Sequence, residues 1–471
     1  MTAKGRKWRQ NAVVIGLACA AVAVIAYFAT MEDPDYVRAA KEYDSALAAA
    51  KEAFGPLTWE EHRAQRGTDS GHDPRLWKDV ADTVPSAVTR YLDAPLDPGR
   101  SPTNRALFVA NRDWFLSCYD RVRNLTNRHL PEQDAVLATT TALSEIKSLV
   151  KALHIGFIGA ADDGDSEGVR QTGRAMNHLI AVLNEEPDML TALYSISMRS
   201  MAQSAWTRAY VRNRGNLAVL AAIDEVAAQY PDLPAPREIV AGQARSADEY
   251  IQLFRGRSPA EINRLLNEWT VWLNDDPNGG ETWFEEKWND VFHKDRNLNR
   301  RIGPNAARAL ETRYWQVMLE MDRAFERIEK GGSVRDEIVR INELVGTRDL
   351  SYEYAAMSVV PEFIESYERS VFFERAVAAS MSLVRKFPVQ SALPETLPDD
   401  VAFVDPFGGG PARYRRTSVG FIIYTHSADG VDDGFELVSP EQAQLEGSFK
   451  RGKDGKDWGL IVSYVPDPTR D

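Results

Sequence analysis

The sequence predicts a mainly α-helical protein: an N-terminal transmembrane helix, then an antiparallel, repeat-like helical array, then a small C-terminal α+β module with an antiparallel sheet. Three observations predict it. Residues Ala12 to Met31 form a run of 20 residues without a charge. Apolar residues then recur at spacings of three and four through most of the next 350 positions, the period of an α-helix. After Pro388 that period stops, and prolines, glycines and short apolar runs take over.

The apolar run comes first. At about 1.5 Å per residue a helix of that length matches a bilayer's hydrocarbon core. Lys4, Arg6, Lys7 and Arg9 precede it, while Glu32, Asp33 and Asp35 follow. Basic residues stay on the cytoplasmic side, so residues 1–11 form a cytoplasmic flank and residues 12–31 a single-pass signal anchor in contact with lipid. Cleavage after Ala29 would place Tyr27 where a small side chain is needed, and Gly16-Leu17-Ala18-Cys19 lacks the leucine of a lipoprotein signal. The anchor is therefore expected to remain attached in a bacterial inner membrane, with the bulk in the periplasm or extracytoplasmic space.

Net charge over 471 residues is −13, and the anchor flank holds four cations, so the exported remainder carries −17. An acidic surface argues against nucleic acid and anionic lipid. Cys19 lies in the anchor, which leaves Cys118 alone outside and no intramolecular disulfide there. Cys118 sits in an apolar stretch and reads as a small buried hydrophobe.

Residues 32–360 read as the helical domain. Asp35 to Phe54 carries Tyr36, Ala40, Tyr43, Leu47 and Ala50 on one face, and Gly55-Pro56 stops it. Leu76 to Leu92 reads as one helix, ended by a loop with three prolines. Leu137 to Phe157, Val169 to Leu183 and Asp188 to Arg212 are successive helices joined by short turns, without a fixed repeat period. The acidic turn from Asp162 to Glu167 reads as helix capping rather than a metal loop. Three prolines between Pro231 and Pro236 mark a subdivision. Ala247 to Leu273, Asn305 to Lys330 and Val334 to Leu344 follow as helices.

Residues 361–471 read as a long helix, to Lys386, plus a small sheet. Ile364, Tyr367, Val371, Ala378 and Met381 line one side of the helix. Strands are expected at Ala412 to Arg416, Phe421 to Thr425 and Gly459 to Val465.

Two stretches could hold a cation. Asp429, Asp432 and Asp433 crowd three carboxylates among glycines after a strand; a hard ion such as Ca²⁺ would relieve their repulsion, and a solvated acidic hairpin is the simpler alternative. Asn274, Asp276, Asn278 and Glu285 fall at EF-hand spacing, but with Asn in the first position and Pro277 inside the loop, a helix-ending Asn-Gly-Gly turn is the simpler reading. The seven histidines form no ligand spacing, although His154 and His178 fall on adjacent helices. No nucleophile elbow, zinc-protease motif, P-loop or dinucleotide fingerprint is present.

The tail residues Leu393-Pro394, Asp405-Pro406-Phe407-Gly408, Pro411, Tyr414-Arg415-Arg416, Gly420-Phe421, Tyr424 and Asp429-Gly430 carry a resemblance. They resemble the C-terminal module of the major type II secretion pseudopilin, and more closely the tails of an uncharacterised bacterial envelope family. That family's helical region is also similar to residues 137–205 here. The resemblance implies a long helix, a DP-x-G element, a Tyr-Arg strand and a calcium-binding D-G loop, with the ligands carried over to Asp429 and Asp432. The anchor lacks the pseudopilin leader and its glutamate, which argues against assembly into a filament. The expected function is a membrane-anchored scaffold or binding protein, calcium-stabilised, acting with an unidentified envelope protein in secretion or envelope assembly. The alternative is a hydrolase-like extracytoplasmic enzyme with its site in a cleft of the helical domain, at the cluster Trp269, Trp272, Trp283 and Trp288.

Overall fold

The computed structural model describes residues 34–57, 75–93, 103–126, 136–254, 304–346, 359–426 except 408, 448–451 and 457–464, with isolated positions that include Asp432 and Phe435. The anchor 12–31, the Trp269–Trp288 cluster, the stretch Asn274 to Glu285, and both Asp429 and Asp433 lie outside the described residues. Among the described residues no helix is long and apolar enough to cross a membrane.

Thirteen α-helices and one four-stranded sheet make up the described fold. Helix α1 is Pro34–Phe54, α2 Arg75–Ala81, α3 Ser86–Asp93, α4 Asn104–Ala110 and α5 Arg112–Val122. The array follows as α6 Val136–Asp163, α7 Ser166–Leu183, α8 Met189–Arg212, α9 Leu217–Ala228 and α10 Pro236–Phe254. Then come α11 Pro304–Glu329, α12 Val334–Gly346 and α13 Val359–Lys386.

The expected single helix over Leu76 to Leu92 is two helices, α2 and α3. Pro85 has no amide to donate and disfavours helical backbone at Val84, so the chain turns there, with Val84 N–H donating to Ala81 O.

Turn chemistry sets the array. Asp165 caps α7 by accepting from the Glu167 and Gly168 amides, as the capping reading of the acidic turn requires. Its neighbours are also paired: Asp162 with Arg212, Asp163 with Arg105, and Asp165 with Arg112. Asp188 and Thr191 form a reciprocal capping box that opens α8. Helices α6 and α7 run antiparallel, since a Cβ on Gly173 would meet Phe157 and one on Gly168 would meet Ala160. Helix α8 runs parallel to α6: Lys147 lies over Tyr194, and His154 bonds to Met201 O. Helix lengths of 28, 18, 24 and 12 residues from α6 to α9 leave no repeating unit.

The sheet order is β1-β2-β4-β3, all antiparallel, with β1 Arg413–Arg416, β2 Gly420–Thr425, β3 Ser448–Arg451 and β4 Trp458–Ser463. Strand β3 was not expected from the sequence. It is a four-residue edge strand, too short and too charged for an alternation signal.

Two large apolar clusters hold these elements. The first joins α2 to α9, the C-terminal half of α13 and one face of the sheet through Phe421, Ile423, Leu460 and Val462. The second joins α1, α10, α11, α12, the start of α8 and the N-terminal half of α13. The helical domain and the tail module therefore share a core, and α13 runs through both clusters. The proline-rich stretch 231–235 is where the chain leaves the first core for the second.

Candidate functional site

Two places combine buried polar groups with defined geometry: the rim of the sheet that carries the acidic loop, and the seam between the two cores.

At the rim, the residues behind the tail motif are joints. Asp405 is buried, and its Oδ1 accepts from the Phe407 amide at 3.0 Å and the Thr425 hydroxyl at 2.6 Å. Its Oδ2 is buried without a hydrogen-bond partner. The turn that follows closes through Asp405 N–H to Gly410 O and a bridge between Val404 and Pro411. Tyr414 donates to Pro394 O, while Arg416 reaches Leu393 O and Glu395. Burial pushes the Tyr414 phenol up to about 12.

The acidic loop returns at Phe435, which adopts a left-handed φ of 44°, uncommon for a bulky side chain. Its ring is fully buried with Ile422, Tyr424 and Ile461 on the sheet face opposite the first core. The Phe435 amide donates to Asp457 Oδ2 at 3.2 Å, and Arg415 donates to Phe435 O at 2.7 Å. A Cβ on Gly459 would crowd that ring at 2.9 Å, so the small residue makes room for it. This plug explains why both central strands are buried on both faces.

Asp432 is the one member of the predicted triad among the described residues. Its carboxylate lies 3.4 Å from Arg413 Nε and 3.6 Å from His426 Nε2. Arg413 Nε also donates to His426 Nε2 at 3.0 Å, which makes that nitrogen the acceptor. Among the described residues no three acidic, histidine or cysteine side chains are grouped to hold a metal. The described part of the loop thus places Asp432 beside a guanidinium and an imidazole.

The seam is built around Arg199 on α8, which is 0% exposed. It donates to Pro231 O at 2.6 Å and to Glu374 Oε2 at 2.8 Å, with its guanidinium 4.3 Å over the Tyr230 ring. Tyr230 in turn meets Trp206 edge-on, and Tyr367 donates to Pro234 O at 3.2 Å. Residues from α8 and α13 therefore clasp the crossing loop 231–235. Next to Tyr367 lies Glu368, only 7% exposed, and burial pushes its carboxyl up to about 7. Asp322 on α11 is also raised by burial.

Sequence reasoning missed this seam. One signal was available: Glu368 falls four residues after Ile364 and three before Val371, so a charge stands on the apolar stripe of α13. His154 bonds Met201 O, and His178 bonds Leu125 O. Cys118 is buried, with its thiol pushed up to about 12 by burial, as an inert core residue is.

Compared with family models, curated proteins and solved structures, the chain matches none.

Proposed function

We propose that this protein is a membrane-anchored scaffold or binding protein of the bacterial envelope. Residues 12–31 hold it in the inner membrane, and its C-terminal head lies outside the cytoplasm. The observation that carries this reading is the use of the tail motif. Asp405, Tyr414, Arg415 and Arg416 are each spent on a partner within the tail, and the inner face of the sheet packs into the same core as the helical array. Such a rigid head suits recognition by shape, and its partner is an unidentified envelope protein. Calcium enters as part of the proposal, held by the loop of Asp429, Asp432 and Asp433, where it would compete with Arg413 for Asp432.

Three measurements test it. A C-terminal reporter active only outside the cytoplasm should be active, and activity of an inside-only reporter overturns the topology. Cross-linking in intact cells should give discrete adducts with other envelope proteins, and their absence removes the scaffold role. EDTA should lower the thermal midpoint by several degrees, and identical curves with EDTA and with calcium remove the metal.

A further inference from the structure

We infer that Glu368 is a proton-operated joint between the two cores. Its position on α13 is the basis. Tyr367, one residue before it, packs in the second core, and Phe372, four residues after it, packs in the first. The residue is only 7% exposed, yet no hydrogen bond or ion pair to a described residue holds its carboxyl. A buried carboxylate without a partner is costly, whereas a neutral carboxylic acid is much less so.

The charges around it do not resolve that cost. Arg375, on the same helix, favours ionisation, but its guanidinium is drawn to Val404 O at 3.2 Å. Glu329, at the end of α11, opposes ionisation. Arg199 on α8 is committed to Glu374 and Pro231, and Glu337 on α12 to Arg327. Asp457, next to β4, holds the Phe435 amide, and Arg369 stacks on Trp458. Tyr230 and Tyr367 stay neutral, since burial raises both phenols.

The direction follows from proton linkage. A carboxyl raised from 4.5 to about 7 binds its proton more tightly in the folded chain. Folding stability from this group is then fully present below about pH 4.5 and is lost as pH rises through about 7. Above that, a desolvated charge sits at the seam, opposed by Glu329 on α11, and the packing of Phe325 against Tyr367 loosens.

The test compares the full-length chain with Glu368→Gln, which keeps the shape and cannot ionise. The variant-to-native ratio of folding constants should rise on the order of a hundredfold between pH 5 and pH 8. Amide exchange, corrected for its intrinsic pH dependence, should rise in the native chain at 364–372 and at the end of α11, and stay flat in the variant. A ratio that does not change with pH overturns the proposal, and so does loosening spread evenly over both cores. If Glu368→Gln fails to fold, Glu329→Gln should weaken the native pH dependence, and an unaltered profile overturns the proposal. A Glu368 carboxyl carbon that titrates near 4.5 does the same. None of these outcomes depends on the envelope reading.

Discussion

The two cores are built in opposite ways. The first is assembled mostly from neighbours in the chain: α6 to α9 follow one another through short turns capped by Asp165, Asp188 and Asn216, and glycines let helices approach closely. A Cβ on Gly156 would strike Phe115, and one on Gly159 would strike Phe108 and the Asn104 carbonyl. The second core joins ends that are far apart. Helix α1 packs on α11, and Gln316 donates to Glu42 across 274 positions of sequence. Sequential hairpins bring few loop-closure costs, while a long closure must be completed before any contact rewards it. The comparison teaches that the second core depends on the first being present. Helices α8 and α13, which enter both, are the members through which that dependence acts.

The largest effect that can break this comparison comes from two aromatic truncations on α13. Phe363→Ala in the second core and Phe372→Ala in the first should each cost about 3–5 kcal/mol. Calorimetry of both should show one transition shifted downward. Two separated transitions would mean that the cores melt independently and that α13 does not tie them.

Phe435→Ala should cost roughly 3 kcal/mol, because it unplugs the outer sheet face and leaves the Asp457 and Arg415 contacts on a strained backbone. Urea unfolding followed by helical circular dichroism measures the loss. A variant as stable as the parent would show that the plug does not help to hold the sheet.

Lys147 sharpens the comparison from the side of the first core. It is 5% exposed, and burial, with Lys151 adding repulsion, holds its amine down to about 8 from 10.5. The unfolded chain binds that proton more tightly, so the associated cost is fully present below about pH 8 and disappears as pH rises to about 10.5. Lys147→Met should therefore gain about 1–3 kcal/mol at pH 7 and nothing near pH 10.5. A variant that loses stability at pH 7 would show instead that the 5.8 Å contact with the Tyr194 ring outweighs burial.

Much of the helical order was legible because it rests on local chemistry. Asp165 and Asp188 announce helix starts, Gly55 announces a stop, and the stripe Ile364, Tyr367, Val371 announces α13, whereas the pattern reads through the break at Pro85 as one helix. The edge strand β3 was not legible, since four residues carry too little pattern. Asp432 was legible as an acidic group but not as the partner of Arg413 and His426, which reach it from the start of β1 and the end of β2.

By itself the sequence determined the mainly helical character, the helix starts at Asp165 and Asp188, the stop at Gly55, and the presence of a small sheet after Pro388. Those properties depend on residues within a few positions of one another. Only the tertiary structure decided that the tail shares a core with the array, that Phe435 covers the sheet, that Arg199 clasps the crossing loop, and that Glu368 is largely buried at the seam. Each of those depends on which distant side chains exclude solvent from a given atom, and solvent exclusion is a property of the packed molecule rather than of any one stretch of chain.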